Sequence, residues 1–142
     1  MQQRVHFLTF STPDLDAARA FYREGLGWHP LVDVAGEVIF FQVAPGTVLG
    51  LFDAEKFAQD AGMPSPAPVA GVTLSHNVDS AEEVSVAIDR LASLGAELLK
   101  PAQVGAFGGI FHGLVRDPNG IVWEVAHNPG WSIGDDGGVT FG

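Results

Sequence analysis

The spacing of apolar residues changes character several times along the first sixty positions. Residues 5–10, "VHFLTF", are β-branched and aromatic in the manner of a strand. After Thr12-Pro13-Asp14, Leu15, Ala18, Tyr22 and Leu26 recur at helical spacing. Thr12 or Asp14 can cap that helix, Pro13 suits its first turn, and Gly25 and Gly27 end it. Part of "WHPLVDV" predicts a short strand, and "GEVIFFQVAPGTVLGLFDAE" predicts two more around a hairpin turn at Ala44-Pro45-Gly46.

The order then begins again. "GVTLSHNVDSAEEVSVAIDRLASLGAELL" predicts a strand, a cap and a helix with Ala81, Val84, Ile88 and Leu91 on one face, while Ser80 and Glu83 have capping-box spacing. Ala96–Leu99, "IFHGLVRD" and "IVWEVAHNP" supply three further β-type runs. Thr12 corresponds to Val78, Gly27 to Gly95 and Gly46 to Gly120. The chain thus reads as an α+β fold of two βαβββ modules, residues 1–61 and 71–129, joined by a Pro-rich linker, 62–70, and followed by a tail of little regular structure, 130–142. One module is too short to bury both sides of its sheet, so the expected architecture is a cupped, incompletely closed mixed β-sheet with helices outside. Its concave face is the expected ligand site.

Composition narrows the partners. Seven Lys and Arg against 17 Asp and Glu give a net charge of -10, which repels phosphate backbones and leaves nucleic acid out. The apolar runs are too short to cross a bilayer, and "MQQRVHFLTF" lacks the order of a secretory signal, so a cytoplasmic location is expected. With no cysteine, any metal here would rest on imidazole or carboxylate.

One residue resists this reading. Asp117-Pro118-Asn119-Gly120 is turn chemistry, and the strand after it is apolar except for Glu124. A carboxylate there needs a hydrogen-bond donor, a cation or a proton of its own. Thr73 or Ser75 can donate to it. Alternatively it stays protonated with a raised pKa, or meets a cationic group on a ligand.

The doubled βαβββ pattern, "PDLDAARAFYREGLGW" and "RDPNGIVWEV" together resemble the vicinal oxygen chelate (VOC) superfamily of glyoxalases, bleomycin resistance proteins and extradiol dioxygenases, over about residues 4 to 128. The resemblance implies a homodimer and, in metal-dependent members, a divalent metal held from four strand positions, two per module. Those positions fall here on Phe7, Gly50, Thr73 and Glu124, of which only Glu124 is a usual ligand. His6 and His76 stand off register, and strand alternation turns them toward the opposite face. No cofactor is therefore expected; were a metal present, Glu124 with His6 or His76 would hold it.

Taking Glu124 as marker of the concave face, alternation assigns Phe7, Thr9, Gly50 and Phe52 to it from the first module, and Thr73, Ser75 and Asn77 from the second. Gly50 would leave open space where a ligating side chain stands in relatives. His112 has no clear parity and is carried as a further ligand-binding candidate. His127 is expected on the opposite face and His29 at the surface, while Trp28, Phe107 and Trp131 are packing residues or lie near the mouth. The expected function is binding of a small, partly apolar molecule without a metal centre, with Glu124 as the candidate catalytic group should there be chemistry. The alternative is a metal-dependent lyase, isomerase or dioxygenase acting on vicinal oxygens.

Overall fold

The structure, a computed structural model, describes residues 1–106 and 108–141. It divides into two units, Met1–Gly71 with Pro118–Gly120, and Val72–Asp117 with Ile121–Gly142. Each is built on a four-stranded mixed sheet that is not closed. No helix among the described residues is long and apolar enough to cross a membrane.

In the first unit the strands are β1 (Phe7–Thr12), β2 (Val32–Val34), β3 (Val38–Ala44) and β4 (Thr47–Asp53), in the order β1-β4-β3-β2. β1 runs parallel to β4, and the other pairs are antiparallel. Asp14 caps α1 (Leu15–Ala18) by accepting from Ala17 N. Sequence spacing predicts a single α-helix here, but from Arg19 to Gly25 the backbone widens into a π-helix. The wider turn coincides with the adjacent Phe21 and Tyr22 both being buried, which a strict 3.6-residue stripe does not favour. Arg19 ties this segment to β2 through Asp33 at 2.8 Å, and Arg23 reaches the same carboxylate at 3.0 Å. Ile39, Phe41, Leu49 and Leu51 form the buried face of the sheet. Trp28 packs on Tyr22 and Phe41 at 5.2 and 5.5 Å between ring centroids, so it is a packing residue.

A second helix, α2 (Ala54–Asp60), follows β4 directly, and the sequence reading had no place for it. Asp53 caps it by accepting from Lys56 N, and Ala54, Phe57, Ala58 and Ala61 carry a short helical stripe. Within the first unit Asn119, from the Asp-Pro-Asn-Gly turn, accepts from Asp14 N and donates to Asp14 O, both at 2.9 Å. That turn therefore holds the entry to α1 as well as reversing the chain.

The second unit repeats the plan with β5 (Thr73–Asn77), α3 (Ala81–Ser93), β6 (Glu97–Val104), β7 (Phe111–Arg116) and β8 (Val122–His127), in the order β5-β8-β7-β6. Ser80 accepts from Glu83 N, and Glu83 accepts from Asp79 N, completing the capping box. α3 buries Val84 and Ile88 against the sheet, each contributing about 1.5–3 kcal/mol. Close approach is allowed by Gly113, where a Cβ would stand 2.9 Å from Ile88 Cγ1 and 3.2 Å from the Ala102 backbone N. The C-terminal segment, expected to be irregular, instead forms an antiparallel hairpin of β9 (Trp131–Ile133) and β10 (Val139–Phe141). Its physical cause is turn chemistry: Asp136 accepts from Gly138 N at 2.9 Å, and β-type residues flank the turn.

Candidate functional site

Strand register decides which side chains share a face. In the first sheet Phe7 pairs with Val48, Thr9 with Gly50, and Phe40 with Gly50 from the other side, so these residues lie opposite the buried Leu49 and Leu51. In the second sheet Thr73, Ser75 and Asn77 pair with Val122, Glu124 and Ala126. His112 pairs with Ala126, which puts it on the Glu124 face. His76 pairs with Val125 and faces the other way, as does His127, which lies 3.3 Å from the Val78 carbonyl. His6 precedes β1, and His6 and His29 are exposed.

Around Glu124 the second unit assembles a continuous polar chain. Ser75, directly across from it on β5, donates its hydroxyl to Oε2 at 2.6 Å. His112 Nδ1 lies 2.6 Å from Oε1, and His112 Nε2 lies 2.8 Å from Lys100 Nζ. An ammonium only donates and a carboxylate only accepts, so the proton of a neutral His112 sits on Nδ1. Thr73 is the hydroxyl that does not donate.

Lys100 reaches this chain through irregular pairing. The β6–β7 register shifts on both sides of it, between Leu98 and Lys100 and again between Lys100 and Gln103. These shifts set Lys100 opposite Leu114, which is itself opposite Glu124, so Ser75, Glu124, Leu114 and Lys100 form one row across four strands. His112, two residues from Leu114, spans the gap. Sequence reasoning missed Lys100 because strand alternation carries no signal of a bulge.

Burial, the largest single influence, pushes the Glu124 carboxyl up. The hydrogen bonds from Ser75 and His112, with the electrostatic pull of His112 and the Lys100 ammonium, outweigh it and hold the group below its ordinary value. The protonated, raised-pKa alternative is therefore overturned: desolvation is present, but two donors and a nearby ammonium favour the ion.

The first sheet presents a different surface. Gly50 does not open the space expected of it. A Cβ there would stand 3.1 Å from Thr9 Oγ1 and 3.3 Å from Phe40 Cε1, so the ring of Phe40 already occupies the position. Phe7 meets Phe40 edge to face at 5.5 Å, and Phe52 meets Phe57 of α2 at 6.1 Å. Beside these rings lies an open pocket of about 350 Å³, walled by Thr9, Val38, Phe40, Phe52, Phe57 and Ala61. Two carboxylates, Glu37 and Asp60, complete its lining. Phe57 and Asp60 escaped the sequence reading with the rest of α2. Asp53 followed by the 54, 57, 58 and 61 stripe was the signal for it. Phe107 lies outside the described residues, and Trp131 belongs to the C-terminal hairpin.

The sequence profile of the Glyoxalase/Bleomycin resistance protein/Dioxygenase superfamily matches residues 4–125. The chain belongs to this superfamily. Among solved structures, a glyoxalase-related enzyme from Fulvimarina pelagi is 38% identical, with 99% of each chain covered and a TM-score of 0.88. A glyoxalase/bleomycin resistance protein/dioxygenase from Nocardioides is 26% identical over 94% of this chain and 91% of its own, with a TM-score of 0.73. A lactoylglutathione lyase from Agrobacterium tumefaciens, 24% identical over 89% of this chain and 94% of its own, shares the fold with a TM-score of 0.68. No curated protein matches the sequence.

The divalent metal that the superfamily implies does not fit these residues. Of the four positions that the resemblance implies, Phe7 offers an apolar ring, Gly50 is covered by Phe40, Thr73 offers a neutral hydroxyl, and both oxygens of Glu124 accept short hydrogen bonds. Among the described residues no three His, Asp or Glu side chains gather where they could hold a metal ion.

Proposed function

We propose that this superfamily member binds a small, partly apolar molecule against the exposed face of its first sheet, and does so without a divalent metal. The observation that carries the reading is the pocket of about 350 Å³ walled by Phe40, Phe52 and Phe57, a size and composition suited to small-molecule recognition. Thr9 supplies a hydrogen-bonding group to orient the ligand, and Gly50 lets the Phe40 ring lie flat enough to form one wall.

Glu124 has a supporting part in this reading. A general base works best with a pKa near the operating pH, whereas this carboxyl is held low and already accepts from two donors. It orders the second sheet's polar face, with Ser75, His112 and Lys100 as its partners. A homodimer, as the superfamily resemblance implies, is part of the same proposal, and so is a cytoplasmic location.

Ligand-observed NMR with a set of small aromatic compounds, on wild type and Phe52→Ala, tests the reading. Binding that is lost in the variant while its amide spectrum stays dispersed supports it. Calorimetric titration with Ni, Co, Zn, Mn and Fe tests the other half: stoichiometric binding that disappears in Glu124→Ala would overturn the metal-free reading. Light scattering reads the dimer.

A further inference from the structure

The pocket on the first sheet is one-sided in charge. Among the described residues its lining contains carboxylates and no Lys, Arg or His. One carboxylate is compensated, because Lys56 Nζ lies 3.0 Å from Glu37 Oε1. The other is not: Asp60, the last residue of α2, has no ion-pair partner among the described residues. An exposed negative charge thus stands at the edge of a cavity with three phenyl rings in its walls.

Those two features select the same ligand charge. The face of a phenyl ring carries the negative part of its quadrupole and attracts a cation placed within about 6 Å of the ring centroid. An anion entering the same space would meet Asp60, and among the lining side chains only the Thr9 hydroxyl could donate to it. The chain's net charge of -10 acts in the same direction at longer range.

We propose that this pocket takes an organic cation, an ammonium group carried on an apolar or aromatic body. The cation sits between Asp60 and the rings of Phe52 and Phe57, and the apolar body lies against Val38 and Phe40. The inference rests on reading the pocket as the ligand site and deepens that reading by naming the class of ligand.

Three probes of one size separate the outcomes: benzyltrimethylammonium, benzyl alcohol and benzoate, each titrated into the full chain and followed by amide chemical shifts of residues 37–61. The cation is expected to bind about tenfold tighter than the alcohol, and benzoate weakest. Asp60→Asn should lower the cation's affinity several-fold and leave the alcohol's unchanged, while Asp60→Glu should restore the preference. Asp60 is exposed, so both variants should keep the wild-type spectrum elsewhere. Equal binding of cation and alcohol, or a preference for benzoate, would overturn the ligand class while the pocket reading stands. Failure of all three probes to shift these residues would overturn both.

Discussion

The two sheets share one topology and carry opposite chemistry on their exposed faces. Thr9 pairs with Gly50 in the first as Ser75 pairs with Glu124 in the second, through the same parallel pairing of the unit's first and last strands. In the first sheet, position 50 is bare and a ring from the neighbouring strand lies over it. In the second, position 124 bears a carboxylate, its two neighbouring strands each send it a donor, and Lys100 on the strand beyond supports one of them. Backbone topology therefore assigns the position, and the side chain there decides whether the face becomes an apolar wall or an ionic row. One fold hosts both because each of these faces lies opposite its sheet's buried core residues, such as Leu49 and Leu51 in the first and Val125 in the second.

Glycine substitutions should break this comparison most sharply. Gly113→Ala drives a methyl to 2.9 Å from Ile88 and toward a backbone nitrogen that cannot yield, so a loss of about 2–3 kcal/mol is expected in chemical denaturation. Gly50→Glu, which installs a carboxylate in the first sheet where the second has one, has to displace the Phe40 ring. It should cost about 1–2 kcal/mol and abolish ligand binding at the pocket. If Gly50→Glu kept both stability and binding, the ring would not be the wall that distinguishes the first sheet.

Glu124→Gln should cost about 1 kcal/mol at neutral pH, since the charge-assisted bonds to Ser75 and His112 weaken. Its pH dependence is more telling. Because the folded carboxyl binds its proton less tightly than the unfolded one, its stabilisation is complete above the ordinary value of 4.5 and is lost as pH falls through the lowered folded value. The difference in Tm between wild type and variant should therefore shrink in that acid window. Asp33, held low mainly by its hydrogen bond from Arg19, titrates in both proteins and cancels.

Smallest of all, Ser75→Ala should cost about 0.5–1 kcal/mol, because the bond it removes is exposed. It should also raise the Glu124 pKa toward its ordinary value, which carboxyl carbon shifts in an NMR titration would read. An unmoved pKa would mean that His112 and Lys100 alone hold the charge.

Much of the architecture was legible because it depends on short-range pattern. The capping box at Ser80 and Glu83, the hairpin at Ala44-Pro45-Gly46 and the alternation along 73–77 and 122–127 are local signals, and each lies where expected. The π-helix over Arg19–Gly25 was not legible, since its width goes with the packing of Phe21 and Tyr22 rather than with their spacing. The two elements that escaped, α2 and the C-terminal hairpin, did carry signals. A seven-residue helix and three-residue strands, however, are too short for periodicity to stand out from the surrounding chain.

At the site the division follows range. The residue order by itself determined that Glu124 stands in an apolar strand and that Ser75 shares its face; the superfamily resemblance added the expectation that Phe7, Gly50 and Thr73 fall at metal-ligand positions without being usual ligands. Alternation with a period of two suffices for the shared face. Only the tertiary structure decided that His112 joins that face, that two register shifts bring Lys100 to its Nε2, and that the Phe40 ring covers Gly50. Bulges and cross-strand contacts arise from pairing between distant segments, and no local pattern in either segment specifies where their side chains will meet.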